Sequence, residues 1–252
     1  MTTLYRCAGR TEMGNVRRRN EDAILVRDDL GLWVVADGLG GHAAGDYAST
    51  LIVERLGALT RGGDVNDFIA AIEDSLQQVN AELRAAAIAQ QVDVIGSTVA
   101  LLVHAPAFML CGWVGDSRVY VHEDGALIQL TRDHVQGQPV DITHYGAQPA
   151  PAASAGVLTR AVGVEETLFV DWVVAGNRPG MQFLLCSDGI NKELSDDELA
   201  NACREPHSPQ QLVDRLFALS LARRARDNLS AVIVRLEARC HAQRRDGYGR
   251  AR

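Results

Sequence analysis

Three aspartates each stand at the end of a short apolar run, separated from it by one small residue, and a fourth directly precedes such a run. The first three are Asp37, Asp116 and Asp188, and the fourth is Asp227. Aspartate is a poor strand former, and a carboxylate beside a buried core needs a partner or a cation. A single case is most simply an Asp-Gly turn. The repetition, with Glu21-Asp22 in addition, favours carboxylates that converge on cations, because they would otherwise repel one another.

The available ligands restrict the kind of cation. Oxygen-only ligands suit Mg²⁺, Mn²⁺ or Ca²⁺, whereas zinc sites recruit His or Cys. The seven histidines are scattered and form no His-x-x-x-His pair. We therefore predict a dinuclear Mn²⁺ or Mg²⁺ centre. Two such ions about 4 Å apart can lower the pKa of a shared water and neutralise a phosphoryl group during in-line displacement.

Phosphoryl transfer also needs a positive group for the phosphate oxygens. The segment Val16-Arg17-Arg18-Arg19-Asn20-Glu21-Asp22 places three arginines beside two of the carboxylates. An arginine fork can bind two phosphate oxygens at once. We expect one of these arginines to do so and the other two to form a solvated face.

Composition and charge narrow the class of protein. The 252 residues are 47% hydrophobic and carry a formal charge of −7, which is typical of a globular domain and argues against nucleic-acid binding. The five cysteines are odd in number and lack a Cys-x-x-Cys pair, as expected for reduced thiols in the cytoplasm. We see no signal peptide and no membrane span, and we expect no membrane association.

The apolar patterns predict alternating strands and helices around these residues. Strands are predicted at 4–11, 22–28, 31–36, 98–104, 108–114, 118–122, 127–131, 157–161, 168–175, 181–186 and 229–236, and helices at 44–60, 67–90, 195–204 and 208–224. The turns between 98 and 131 predict an antiparallel meander. Residues 135–156 are predicted to form a surface loop. We assign one domain, residues 1–238, and a basic, disordered tail, residues 239–252.

Seven ordered motifs give the chain a family resemblance. They are Gly14-x-Val-Arg-x-x-Asn-Glu-Asp22, Val34-Val-Ala-Asp-Gly-x-Gly-Gly-His42, Gly115-Asp-Ser-Arg118, Leu130-Thr-x-Asp-His134, Leu158-Thr-Arg-Ala-x-Gly163, Leu185-Cys-Ser-Asp-Gly189 and Asp227-Asn-x-Ser230. Together they make the chain resemble the PP2C-type (PPM) metal-dependent protein phosphatases, in particular the small stand-alone bacterial members. The resemblance spans residue 17 to about 234.

The resemblance assigns the ligands of the first ion. Asp37 resembles the carboxylate that bridges both ions, with the Gly38 carbonyl binding one of them. Asp188 and Asp227 resemble ligands of the first ion. Asn228 follows in the family's usual way and is expected to orient the aspartate before it.

It also assigns the remaining roles. Glu21 is expected to act on the second ion, partly through water, and Asp22 to support that shell. Arg17 resembles the phosphate-binding arginine. Asp116 resembles the residue that, with Asp188, holds a third and weaker ion in bacterial members.

The implied fold is α+β, a sandwich of two antiparallel β-sheets with helices on both outer faces. The implied function is hydrolysis of phosphoserine and phosphothreonine by direct attack of a water or hydroxide that bridges the ions. A phosphorylated protein and a cognate bacterial Ser/Thr kinase are the expected partners, with type VI secretion control as the suggested process, and the expected state is a monomer.

Two positions depart from the family pattern. Some members have a histidine directly after Asp-Gly that is thought to protonate the leaving group, whereas this chain has Leu39 there. His42 is a minor candidate for that acid, and we expect it instead at the start of the next helix. The loop 135–156 lies where members carry a flap that touches substrate, and its Pro- and Ala-rich sequence leaves substrate preference open.

Other functions were weighed against this one. Neither Cys111 nor Cys186 starts the Cys-x5-Arg motif of tyrosine phosphatases, and no Walker P-loop is present. The same fold acting on a sigma-factor regulator stays open, because the residues would be identical. A phosphoprotein-binding pseudophosphatase is disfavoured, because such relatives usually lose a metal aspartate.

Overall fold

The computed structural model describes residues 4–40, 44–136, 157–205 and 207–238. The described residues form two antiparallel sheets. The strands are β1 Leu4–Glu12, β2 Asp22–Arg27, β3 Leu32–Leu39, β4 Gly96–Ser97, β5 Val99–His104, β6 Met109–Val114, β7 Arg118–Glu123, β8 Ala126–Gln129, β9 Asp171–Ala175, β10 Gln182–Cys186 and β11 Leu229–Glu237. The first sheet has the order β1-β11-β10-β7-β8, and the second has the order β2-β3-β5-β6-β9 with β4 paired to β3.

Five helices cover the outer faces of the sheets within the described residues. They are α1 Ala44–Gly57, α2 Val65–Gln90, α3 Asp188–Glu193, α4 Asp196–Arg204 and α5 Pro209–Leu221. The longest, α2, begins at a capping box in which the Asp64 side chain accepts from the backbone of Asp67 and the Asp67 side chain accepts from that of Asp64. Such a cap satisfies backbone donors that a helix start leaves free. None of the described helices combines the length and apolarity needed to cross a bilayer.

Alternation along β3 shows how the layers form. Leu32, Val34 and Ala36 pack in the cluster beneath α1 and α2, whereas Trp33 and Val35 lie in the core between the two sheets. Successive residues of a strand point to opposite faces of the sheet, so the apolar residues of β3 pack into two different hydrophobic cores. A third cluster joins the first sheet to α3, α4 and α5. The predicted α+β sandwich with helices on both outer faces is confirmed.

Four local predictions need correction. The meander predicted between 98 and 131 is correct for the pairs β5–β6 and β7–β8 but wrong for β6–β7, because β6 belongs to the second sheet and β7 to the first. The chain changes sheets at Gly115, whose φ of +110° suits glycine. Residues 157–161 form only an isolated bridge at Leu158, not a strand. β3 extends beyond its predicted end at residue 36 to Leu39, and α3 was not predicted at all.

Some predictions fall outside the described residues. They are the tail 239–252, residues 137–156 of the predicted loop, and His42. The domain boundary at residue 238 therefore stays a prediction. The described residues at each end of the predicted loop pair with each other, since Val135 bridges Leu158 and the Gln136 N–H donates to the Val157 carbonyl at 2.8 Å.

Candidate metal centre

A pocket of about 380 Å³ opens where the end of β3, the β6–β7 turn, the start of α3 and the residues before β11 meet. Its walls are formed by Arg17, Glu21, Asp37, Gly38, Leu39, Gly40, Thr98, Asp116, Leu158, Asp188, Lys192, Asp227 and Asn228. Every site residue predicted from the sequence lines this pocket except Asp22. The fold therefore brings together residues that are up to about two hundred positions apart in the chain.

Asp37 lies inside a strand rather than in a turn. It pairs with Asp22, the first residue of β2, across the antiparallel register. Its backbone is held by Thr98, whose N–H donates to the Asp37 carbonyl at 2.8 Å and whose hydroxyl accepts from the Asp37 N–H at 3.2 Å. The backbone of the proposed bridging carboxylate is therefore fixed on both sides of the strand.

Gly38 is required by the closeness of its surroundings. A Cβ at this position would lie 2.0 Å from the carbonyl oxygen of Gly45 in the first turn of α1. The Gly38 N–H also donates to the Glu21 carbonyl at 3.0 Å. Glycine thus lets β3, α1 and the Glu21 segment meet at one point.

Asp22 lies beneath the pocket rather than in its wall. Its side chain is buried, and the hydroxyl of Ser187 donates to its Oδ2 at 2.7 Å. Ser187 in turn accepts from the Ser230 N–H at 3.1 Å. The position fits support of the neighbouring carboxylates, as predicted, and gives Asp22 no direct access to a ligand in the pocket.

Asp188 is the first residue of α3, directly after β10. Its Oδ2 is paired with the Lys192 ammonium one turn later. Its Oδ1 is buried and has no hydrogen-bond partner among the described residues. A buried, unpartnered carboxylate oxygen is costly in an empty site and is well suited to bind a cation.

Arg17 and Asp227 form a two-point ion pair across the pocket. The Arg17 Nε lies 2.9 Å from Asp227 Oδ1, and a terminal nitrogen donates to Oδ2 at 2.9 Å. Half of the Arg17 side chain is exposed, with 50% of its surface accessible, so the pair faces the opening of the pocket. The predicted phosphate-binding arginine is therefore in place, and its present partner is a predicted metal ligand.

The Asn228 side chain has a different role from the one expected. Only its backbone N–H contacts Asp227, donating to Oδ1 at 3.0 Å. The side-chain amide instead donates to the carbonyls of Met13 and Arg19 at 2.9 and 2.8 Å, and its oxygen accepts from the Glu21 N–H at 2.8 Å. Asn228 thus fixes the loop that carries Arg17 and Glu21.

The carboxylates of this pocket make one another harder to ionise. Burial, then the charges of Asp22 and Asp188, raise the pKa of Asp37 well above its usual range. Burial raises the pKa of Asp22 to about 6 and that of Asp116 to about 6. Burial likewise raises the pKa of Glu21 and of Asp188. Divalent cations would remove this penalty, because they favour the charged form of every carboxylate around them.

Within the described residues, no group of three or more His, Cys, Asp or Glu side chains is arranged to hold a metal ion directly. The ion pairs explain this, because Arg17 engages both oxygens of Asp227 and Lys192 engages one oxygen of Asp188. The donor set is nevertheless all oxygen, which fits Mn²⁺ or Mg²⁺. The free Oδ1 of Asp188 and the mutual repulsion of the carboxylates fit two ions at this place.

Four residues that line the pocket were given no role from the sequence, namely Gly40, Thr98, Leu158 and Lys192. Thr98 had no signal in the sequence, since a threonine before a strand is common. Lys192 could have been found from its spacing, four residues after Asp188 on a helix. Leu39 lines the pocket as the family pattern implied, and the described lining residues include no histidine.

His134 connects the base of the predicted flap to the pocket. Its Nδ1 accepts from the Gly115 N–H at 3.0 Å, so the ring proton is on Nε2, which donates to Asp171 at 2.7 Å. Arg160 also donates to this carboxylate, at 2.9 Å. The His134 carbonyl accepts from the Thr159 N–H at 2.7 Å. The two ends of the segment 135–158 are therefore fixed beside the turn that carries Asp116.

The family model for protein phosphatase 2C matches residues 15–233. A solved structure of PppA, described as a key regulatory component of T6SS in Pseudomonas aeruginosa, is 40% identical, with a TM-score of 0.84 over 93% of this chain and 99% of that one. The catalytic domain of the phosphatase PstP in complex with two manganese ions is 29% identical, with a TM-score of 0.81 over 94% of this chain and all of that one.

Among curated proteins, the serine/threonine protein phosphatase PstP of Mycobacterium tuberculosis is 33% identical over 93% of this chain. The match covers 45% of that protein, so the chain spans about half the length of this relative. The chain belongs to the protein phosphatase 2C family. The family resemblance drawn from the seven motifs is thereby confirmed.

Proposed function

We propose that this domain is a metal-dependent protein serine/threonine phosphatase that hydrolyses phosphoserine and phosphothreonine. The observation that carries the proposal is the convergence of Glu21, Asp37, Asp116, Asp188 and Asp227 with Arg17 on one pocket. Carboxylates that raise one another's pKa values are costly without cations, and a guanidinium at the opening matches a phosphate dianion. The curated relatives named as serine/threonine phosphatases support the same reaction.

Each carboxylate of the pocket has a proposed role in metal binding. Asp37 and the Gly38 carbonyl would contribute to holding two Mn²⁺ or Mg²⁺ ions. Asp188 and Asp227 would contribute to the first ion and Glu21 to the second. When bound, such a pair supplies an activated water and neutralises charge on the phosphoryl oxygens. The two-manganese PstP structure supports this stoichiometry.

Arg17 would exchange Asp227 for phosphate once the metal ions are bound. In the structure it covers both oxygens of Asp227, which must release at least one of them to bind an ion. The freed guanidinium then stands at the pocket opening and can bind two phosphate oxygens. Ion binding and phosphate binding would therefore favour each other, because the ion binds Asp227 and the phosphate binds Arg17.

The experiment is hydrolysis of a phosphothreonine peptide and of p-nitrophenyl phosphate, with Mn²⁺, with Mg²⁺ and with EDTA. We expect metal-dependent release of phosphate that EDTA abolishes. Asp37→Ala and Asp188→Ala should abolish turnover while the circular-dichroism spectrum and melting curve stay those of a folded protein. Asp197→Ala, at an exposed position of α4, is the matched control and should keep full activity.

Two results would contradict the proposal. Full activity in EDTA would show that the reaction does not need metal ions. A folded wild type that is silent with every metal but binds the phosphopeptide would instead indicate a phosphoprotein-binding pseudophosphatase.

The proposal also includes a biological role for the domain. We further propose that the domain reverses a bacterial Ser/Thr kinase in type VI secretion control and acts as a monomer in the cytoplasm. The similarity to PppA, a key regulatory component of T6SS, supports the link to that secretion system. Phosphoproteomics of a deletion strain tests it. Threonine phosphorylation should rise on a secretion component, whereas a rise confined to a sigma-factor regulator would favour that alternative.

A further inference from the structure

Of the 25 lysines and arginines in the chain, one is a lysine, Lys192. This single lysine lies in the wall of the carboxylate pocket, on α3, one turn after Asp188. Lysine and arginine differ at such a place. The ammonium group is a compact point charge, whereas the guanidinium is a broad planar fork. The chain thus uses its only compact side-chain cation beside the proposed metal centre.

The two oxygens of Asp188 have different surroundings. Oδ2 is paired with the Lys192 ammonium, and Oδ1 is buried without a hydrogen-bond partner among the described residues. Asp188 can therefore bind an ion through Oδ1 while its pair with Lys192 stays intact. Asp227 differs in this respect, because both of its oxygens are engaged by Arg17.

The Lys192 ammonium also acts on Asp116. Burial and the charge of Asp188 raise the pKa of Asp116, and the Lys192 charge works in the opposite direction. Asp116 likewise acts on Lys192, together with Asp188. The ammonium therefore lies in the field of both carboxylates that the family resemblance assigned to a third ion.

The residues present do not fit a third divalent cation at this corner. If Asp188 binds the first ion through Oδ1, only its Oδ2 remains for a third ion. This oxygen is already paired with the Lys192 ammonium. A dication bound next to that ammonium would be repelled by it, because like charges at such short distances repel each other even in water.

We propose that the Lys192 ammonium takes the place of a third divalent cation between Asp116 and Asp188, so that this centre holds two ions. The inference rests on the proposed function, since it concerns the same pocket. In this arrangement Lys192 is a positioning residue. It fixes the Asp188 carboxylate with Oδ1 directed away from the ammonium, and it supplies constant positive charge that does not depend on the concentration of free metal.

The test counts bound ions directly. Equilibrium dialysis against Mn²⁺ followed by elemental analysis gives the ratio of metal to protein for the wild type, Lys192→Gln and Lys192→Arg. We expect two ions in the wild type, three in Lys192→Gln and two in Lys192→Arg, which keeps the charge. Anomalous scattering from crystals of the wild type and Lys192→Gln soaked in Mn²⁺ should place the additional ion beside Asp116.

A second measurement uses the uniqueness of this lysine. Amine-directed acetylation can reach only Lys192 and the α-amino group, and it removes the charge from both. The acetylated wild type should gain one ion, as Lys192→Gln does, whereas acetylated Lys192→Arg should still hold two.

The outcomes separate the two proposals. Three ions in the wild type would overturn the inference and leave the phosphatase proposal standing. Two ions in both the wild type and Lys192→Gln would also overturn it, because the lysine would then not be what excludes the third ion. No bound Mn²⁺ in a folded wild type would overturn the metal centre itself and the inference with it.

Discussion

The hydroxyl of Ser187 donates a hydrogen bond of 2.7 Å to Asp22, although the two residues belong to opposite sheets of the sandwich. Ser187 follows β10 in the first sheet, and Asp22 begins β2 in the second. Both residues are buried. The bond joins the sheets directly beneath the carboxylate pocket, so the relative position of Asp37 and Asp188 depends on it.

Replacing Ser187 by alanine should destabilise the protein by about 1–3 kcal/mol, because it leaves the buried Asp22 carboxylate without this donor. Urea denaturation in EDTA measures the loss without any contribution from bound metal. Ser220→Ala is the matched control, since Ser220 is a fully buried serine whose hydroxyl has no hydrogen-bond partner among the described residues. Equal losses in the two variants would contradict the role given to Ser187.

Asn228→Ala should loosen the loop that carries Arg17 and Glu21. The variant removes three hydrogen bonds to that loop and leaves partly buried backbone groups of Met13, Arg19 and Glu21 without this partner. We expect a stability loss of about 2–4 kcal/mol by urea denaturation and a weaker apparent affinity for Mn²⁺. Asn201→Ala, at an exposed position of α4, should change neither quantity. An unchanged Mn²⁺ affinity in Asn228→Ala would show that the loop needs no such support.

Gly38→Ala should disrupt the site through sterics alone. The added methyl group would lie 2.0 Å from the Gly45 carbonyl oxygen, so β3 and α1 must move apart. We expect loss of most of the phosphatase activity and a lower melting temperature. Gly62→Ala is the control, because a Cβ there meets nothing within 4 Å. An active Gly38→Ala variant would mean that this close approach is not needed.

Arg17→Ala should raise KM for phosphopeptide more than it lowers kcat. Charge-assisted hydrogen bonds contribute about 1.5–3 kcal/mol, which corresponds to about a 10- to 100-fold effect. Steady-state kinetics with the exposed Arg18→Ala variant as control measures this difference. Parallel Mn²⁺ titrations should show that Arg17→Ala binds metal at least as tightly as the wild type, since Asp227 loses its competing partner. Unchanged kinetic constants would show that Arg17 does not bind the phosphate group of the substrate.

The stability contributed by His134 should be lost as the pH falls. Burial and the nearby Arg160 charge lower the pKa of His134 in the folded protein below its usual value, although Asp171 acts in the opposite direction. The folded state therefore binds fewer protons here than the unfolded state, and stability falls as the pH drops below about 6.5.

Melting temperatures in EDTA at about pH 7.5 and 5.5 test this prediction. His134→Asn keeps an acceptor near the Gly115 N–H but does not titrate in this range. The wild type should lose more stability between the two pH values than the variant does. A variant that follows the wild-type curve would show that His134 is not the group that titrates.

The sequence was sufficient to predict the carboxylate pocket, since aspartates beside buried strands are unfavourable unless they share cations. It was not sufficient to predict how the strands divide between sheets. The Gly115-Asp116 pair has the same composition as a hairpin turn, and only packing of β7 on β10 decides that the chain crosses over there. In the same way, an Asp-Gly pair after a strand is typical of a turn, although Asp188-Gly189 begins α3.

The role of Asn228 could not be predicted for a different reason. Its side chain bonds to residues more than two hundred positions away, at Met13 and Arg19, and local patterns carry no information about such partners. Lys192 lies four residues after Asp188, but this spacing places the two side chains together only on a helix, and α3 was not predicted. The sequence also does not show that Asp116, in the turn between β6 and β7, lines the same pocket.

The pairing of β1 with β11 has a consequence for synthesis of the chain. β1 is the first described strand and β11 the last, yet they lie side by side in register from Leu4–Glu237 to Glu12–Leu229. During translation, β1 therefore stays unpaired until β11 has been synthesised, which requires nearly the whole domain. Asp227, just before β11, is synthesised at the same stage. Such non-local closure is slow and leaves a strand edge exposed meanwhile. The carboxylate pocket cannot be complete before β11 has been translated, because that strand closes the first sheet and Asp227 lies just before it.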